Sequence, residues 1–207
     1  MKKTAHFLVE KGFTLVELLI VIALIGVLAV AVLSAINPLE QINRARDTGY
    51  KNDIEQLLSA IDRYYTTQQK MPWATESDPT PELMCVSADT PDPDGPGICA
   101  NSSCNPSNSN DQGILVTSQE LKPQFMGRKF VTSNISTDKV YVCKGPNPSD
   151  PVYGCFVPLA NSERVKAKVG VANSPLKSIN PGSSSSVTPN CTTDNWTNNP
   201  CYVCLPE

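Results

Sequence analysis

The sequence predicts an α+β protein. A long N-terminal α-helix, membrane-crossing in its first half and amphipathic in its second, packs on a small antiparallel β-sheet with disulfide-stapled loops. Three observations predict this. Residues 13–36 form an almost uninterrupted apolar run. Residues 39–70 repeat apolar side chains every three or four positions. Beyond residue 70 the chain is dense in Pro, Asn and Ser, has short β-rich runs, and holds all eight cysteines. The division expected is a leader at 1–12, an apolar helix at 13–37, an amphipathic helix at 38–70, and a globular extracytoplasmic head with long loops at 71–207.

The leader, MKKTAHFLVEKG, is short and contains Lys2, Lys3 and Lys11. In the run that follows, 20 of 24 residues are apolar, and Leu18 to Leu33 contains no polar side chain. As a helix, 24 residues span about 36 Å, enough for a hydrocarbon core of about 30 Å. The run is too long for the apolar region of an ordinary secretory signal peptide.

Glu17 is the only charge between Phe13 and Ile36. A carboxylate in hydrocarbon costs about 2.5–3.5 kcal/mol on insertion scales. Two readings accommodate it. Glu17 lies about one turn from Phe13, within reach of headgroups. Alternatively it finds a cation only on assembly: a cut between Gly12 and Phe13 would create an ammonium at Phe13, available to Glu17 of a neighbouring copy.

The string KGFTLVELLIVIALIGVLAVAVLSAINP, residues 11–38, closely resembles the class III signal sequence of type IV prepilins and type II secretion pseudopilins. The features that match are the basic leader ending in Gly12, the Phe13 start, Glu17 four residues on, the apolar run with Gly26 inside it, and Pro38 after it. The resemblance implies cleavage between Gly12 and Phe13 by a prepilin peptidase, N-methylation of Phe13, and a role for Glu17 in docking subunits into a helical filament. It also implies inner-membrane pilus or secretion machinery as partners.

Lysine and arginine balance across the run, with Lys2, Lys3 and Lys11 before it and Arg44, Arg46 and Lys51 after it. The cysteines break the tie by placing the C-terminal part in an oxidising compartment. The expected topology is a single pass through the cytoplasmic membrane with the N-terminus inside, and the mature filament periplasmic or extracellular.

Within 39–70, Leu39, Ile42, Ile54, Leu57, Leu58, Ile61 and Tyr65 mark one buried helical face. Arg44, Arg46 and Asp47 read either as a solvated face or as pairs between subunits. Gly49 would permit a bend, and Pro38 predicts a kink or a locally melted stretch near 35–38.

Residues 71–112 read as loop, stapled by Cys85, Cys99 and Cys104. Asp89, Asp92 and Asp94 beside Gly95 invite a calcium reading. Their spacing is not that of an EF-hand, so a solvated acidic turn is preferred. Strands are expected at 114–117, 130–132, 139–143, 152–157 and 164–171, with a helical turn at 118–125. The clearest hairpin joins 139–143 to 152–157 and suggests a Cys143–Cys155 disulfide. Residues 173–207 are a Ser-, Pro- and Asn-rich tail carrying Cys191, Cys201 and Cys204. The CxxC at Cys201 and Cys204 reads as two half-pairs rather than a redox or zinc motif, because the only other near pair, Cys99 and Cys104, lies in a loop and no βα context accompanies it.

Composition excludes several classes. Charged residues make up 18% and aromatics 6%, low for a soluble enzyme. The net charge of -3 leaves no basic footprint, so no nucleic-acid partner is expected of the chain alone. The single histidine, His6, removes most triads and histidine metal cages. No catalytic residue, cofactor or metal is predicted. The expectation is a structural filament subunit serving adhesion, motility or DNA uptake. A minor pilin or secretion pseudopilin is the first alternative, and an uncleaved membrane-anchored binding module the second.

Overall fold

The computed structural model describes residues 12–35, 37–166 and 201–206. The chain divides into two compact units, Met1–Leu39 and Glu40–Glu207.

The first unit is built on helix α1, Leu15–Ala35. The second helix, α2, runs Pro38–Gln68. The expected interruption is present: α1 stops at Ala35, and α2 starts with Pro38 in its first turn, where a missing N–H and a fixed φ do no harm. Gly49 continues α2 without a break.

Four strands form one antiparallel sheet in the order β1-β2-β3-β4. They are β1 Leu83–Ser87, β2 Val140–Lys144, β3 Val152–Phe156 and β4 Val203–Leu205. The hairpin read from the sequence is β2 and β3, in the register Val140↔Phe156 to Lys144↔Val152. Short helices α3 Ile114–Thr117, α4 Lys129–Thr132 and α5 Asn161–Arg164 decorate the loops, with a 3-10 turn at Pro123–Gly127.

The core lies between α2 and the sheet. Tyr50, Ile54, Leu57, Ala60, Ile61 and Tyr64 of α2 are buried, as are Val140, Val142 and Phe156 of the sheet. Tyr50 stacks on Phe156 with ring centroids 5.8 Å apart. At Gly154 of β3 an added Cβ would meet Ile54 Cγ2 well inside contact distance. A glycine at that point lets the sheet sit directly on the helix.

Several expectations are corrected. Residues 114–117 and 130–132 are helical, not strands; each is four residues or fewer of β-rich sequence, too short for period alone to separate helix from strand. The strand expected at 164–171 begins instead as α5 and a following turn, and residues 167–171 lie outside the described ones. Both outer strands were hidden. β1 sits inside the supposed loop, and β4 in the supposed tail, because each borrows its pairing from a distant partner rather than from local pattern. On α2 the buried face starts at Asp47. Leu39 and Ile42, expected to belong to it, are 64% and 65% exposed. Leu58 and Tyr65 are partly buried at its margin.

The disulfides follow the sheet. Cys85 bonds Cys143 across β1 and β2, with Cα atoms 4.1 Å apart, and Cys155 bonds its register partner Cys204 across β3 and β4, at 4.0 Å. Cys99 bonds Cys104 within the long loop. The Cys143–Cys155 bridge expected from the hairpin is not formed. In the observed register Cys143 faces Tyr153 and Cys155 faces Tyr141. The two cysteines are therefore diagonal neighbours, roughly 7–8 Å apart, beyond disulfide reach. Cys201 is also oxidised, with a partner outside the described residues; Cys191 lies outside them as well.

Candidate assembly site on the N-terminal helix

Every described side chain from Gly12 to Leu33 is exposed. Leu15–Leu33 is long and apolar enough to cross a membrane, and none of it is buried within the chain. An apolar surface of this extent is far larger than the few hundred Å² that a monomer in water tolerates. It requires a lipid or protein environment. Gly26, with nothing within 4 Å of the position of an added Cβ, leaves a notch where another backbone can approach closely.

The start of α1 is organised by two residues. Thr14 Oγ1 accepts the Glu17 N–H at 3.2 Å, while a Glu17 carboxylate oxygen accepts the Thr14 N–H at 2.9 Å and the Thr14 hydroxyl at 2.8 Å. This is a capping box: a Thr and a Glu three residues apart satisfy each other's backbone donors at a helix start. The T-x-x-E spacing was present in the sequence as the signal for Thr14, which the reading of Glu17 alone passed over. Glu17 also supplies negative charge at the positive end of the helix dipole. Gly12 and Phe13 precede the helix in non-helical backbone, and Phe13 is 82% exposed.

The other candidates behave differently. Arg44 pairs with Glu40 one turn away at 3.1 Å. Arg46 reaches into the head, donating to Thr137 O at 2.8 Å and lying over the Tyr50 ring at 4.6 Å. Asp47 is 1% exposed and accepts the N–H groups of Leu159 and Ala160 at 2.8–3.1 Å. Burial pushes its carboxyl above the ordinary value, with the two backbone donors pulling the other way. Arg46 and Asp47 are thus interior fastenings of the head rather than a solvated face.

The acidic loop does not converge on a common point. Asp89 pairs with Lys139 at 2.6 Å, and Asp92 accepts the Ile114 N–H at 2.8 Å. Among the described residues no group of three or more His, Cys, Asp or Glu is placed to hold a metal ion. The CxxC is split, since Cys204 bonds Cys155 and Cys201 bonds elsewhere. Among the described residues no cysteine is free.

A cleft of about 1060 Å³ opens between α2 and residues 120–128, bordered by Gln56, Ser59, Lys122 and Phe125. Ion pairs Arg63–Glu120 at 2.9 Å and Arg128–Asp53 at 3.4 Å tie the segment to α2.

Residues 9–33 match the family described as the prokaryotic N-terminal methylation motif. The matched motif is the class III signal found at the start of type IV pilins and pseudopilins. No curated protein and no solved structure matches the chain.

Proposed function

We propose that the chain is the precursor of a structural subunit of a type IV pilus-like filament. A prepilin peptidase cuts between Gly12 and Phe13 and methylates the new amine of Phe13. The mature subunit waits in the cytoplasmic membrane, with its N-terminus inside, and inner-membrane assembly machinery then moves it into a filament.

The observation that carries this reading is the exposed apolar α1, headed by the methylation motif and bearing a single carboxylate. Val, Ile, Leu and Ala side chains are as well accommodated against other helices as against lipid tails, so exchange of lipid for neighbouring subunits is nearly neutral for them. The charge decides the register. In the isolated chain Glu17 is held by Thr14. In a filament core the ammonium of a neighbour's Phe13 neutralises it, and only one axial offset brings the two together. A buried ion pair adds little stability but selects among otherwise similar packings.

Intact mass and N-terminal sequencing of protein sheared from the cell surface tests this. Loss of residues 1–12 with one added methyl group is expected. A chain that keeps its first twelve residues and stays single in the membrane overturns the filament reading in favour of an anchored binding module. A processed chain absent from surface fibres, but required for secretion, makes it a pseudopilin.

A further inference from the structure

Lys144 closes β2, and it is 1% exposed. Lysines are almost never fully buried unless an opposite charge pairs with them. Lys144 makes no ion pair among the described residues. Its Nζ donates instead to three main-chain carbonyl oxygens: Thr80 O at 3.3 Å, Gly145 O at 3.0 Å and Asn147 O at 2.8 Å. An ammonium has three N–H donors, so this set uses all of them.

The three oxygens come from two places far apart in the chain. Thr80 belongs to the loop that leads into β1, while Gly145 and Asn147 belong to the turn between β2 and β3. Asp78, Glu82 and Asp150 stand further out and favour the charged form, whereas burial, the larger influence, pushes the ammonium below the ordinary lysine value. Neutral carbonyl oxygens inside and carboxylates outside are the arrangement that binds a small cation.

We propose that Lys144 is a tethered structural cation, seated in a cage of main-chain carbonyls, that locks residues 78–82 to the 145–150 turn at one end of the sheet. The chain supplies the positive charge covalently where a free ion would otherwise be needed. The order of this end of the head therefore depends on Lys144 and not on dissolved divalent metal. Asp78 and Glu82 on one segment and Asp150 on the other all favour the charged form of Lys144, so the ammonium attracts both segments at once.

Hydrogen exchange on the full chain in detergent micelles tests the proposal, comparing wild type, Lys144→Met, and wild type with excess chelator. Methionine keeps the length of the side chain and removes all three donors. Exchange at the bonded amides of Thr80, Asn147 and Asp150 is expected to rise about tenfold or more in the variant, from the loss of charged hydrogen bonds, with the 54–61 segment of α2 unchanged. The chelator is expected to change nothing. Unaltered exchange in Lys144→Met overturns the proposal, and so does loosening of the wild type by chelator. Should the variant not fold, nitrogen-labelled lysine in the wild type decides: a buried ammonium with slowly exchanging protons must give an observable Nζ resonance, and its absence overturns the seat.

Discussion

Thr14 and Glu17 hold each other at the head of α1, each accepting the other's backbone N–H. The carboxylate that a neighbour's Phe13 would take in a filament is thus already engaged within its own chain. In the proposed filament, assembly would exchange this intrachain engagement for the Phe13 ammonium of a neighbour. Glu17→Ala removes both roles. We expect processing at Gly12–Phe13 to continue, because the scissile bond precedes the helix, while incorporation into fibres drops at least about tenfold. Immunoblots of membrane and sheared fractions measure both. Normal fibre yield from this variant would remove the register argument.

The fit of Gly154 against Ile54 leads to a stability prediction. A methyl group at Gly154 meets Ile54 Cγ2 well inside contact distance. Overpacking of this kind costs about 1–3 kcal/mol. Gly154→Ala should lower the denaturant midpoint of the head by that amount. The companion Gly154→Ala with Ile54→Leu should recover part of it, since leucine lacks the β-branch methyl, Cγ2, that the added group meets. A double variant no more stable than the single one would mean that the strain lies elsewhere.

Disulfide connectivity is checked by thiol titration. Cys85→Ser should release one reactive thiol, at Cys143, and leave Cys155 protected by Cys204. Loss of a bridge of this kind destabilises small extracytoplasmic domains by about 2–5 kcal/mol. A Cys143 that stays protected in that variant would restore the hairpin pairing with Cys155 that the register excludes.

Two aspartates give opposite pH signatures. Asp138 is pushed up by burial, but the Lys129 and Ser133 hydrogen bonds and the charges of Lys129 and Arg46 outweigh this and hold it below its ordinary value of 3.8. Its contribution is present above that value and is lost as pH falls through the folded value. Asp138→Asn should destabilise the head by about 2 kcal/mol at neutral pH and less in acid. For Asp92, burial raises the carboxyl against the pull of the Ile114 N–H, and Oδ1 is buried without a hydrogen bond. The folded state then binds the proton more tightly, so stability grows as pH falls from neutral into the window above 3.8. Asp92→Asn should be more stable than wild type at neutral pH and should lose that acid gain. Denaturation curves across the acid range measure both. A matching slope in wild type and Asp92→Asn would contradict the second.

Helix α1 and the break before α2 were readable from the sequence because their determinants are local. An apolar run and a proline each act within a turn or two of helix, and the β2–β3 hairpin is a neighbour contact of the same kind. What the sequence could not show was who sits opposite whom across long separations. β1 and β4 gain their strand character from β2 and β3, and so Cys85 and Cys204 claim the cysteines that the hairpin alone would have paired with each other. Arg46 and Asp47 read as surface charges until residues 137–138 and 159–160 fold over them. Lys144 lies one residue past the strand expected at 139–143, and its carbonyl seat is complete only where β1 brings Thr80 close. Side-chain pattern reports which face of an element is buried, whereas pairing and polar satisfaction depend on which distant backbone arrives there, and only the assembled tertiary structure decides that.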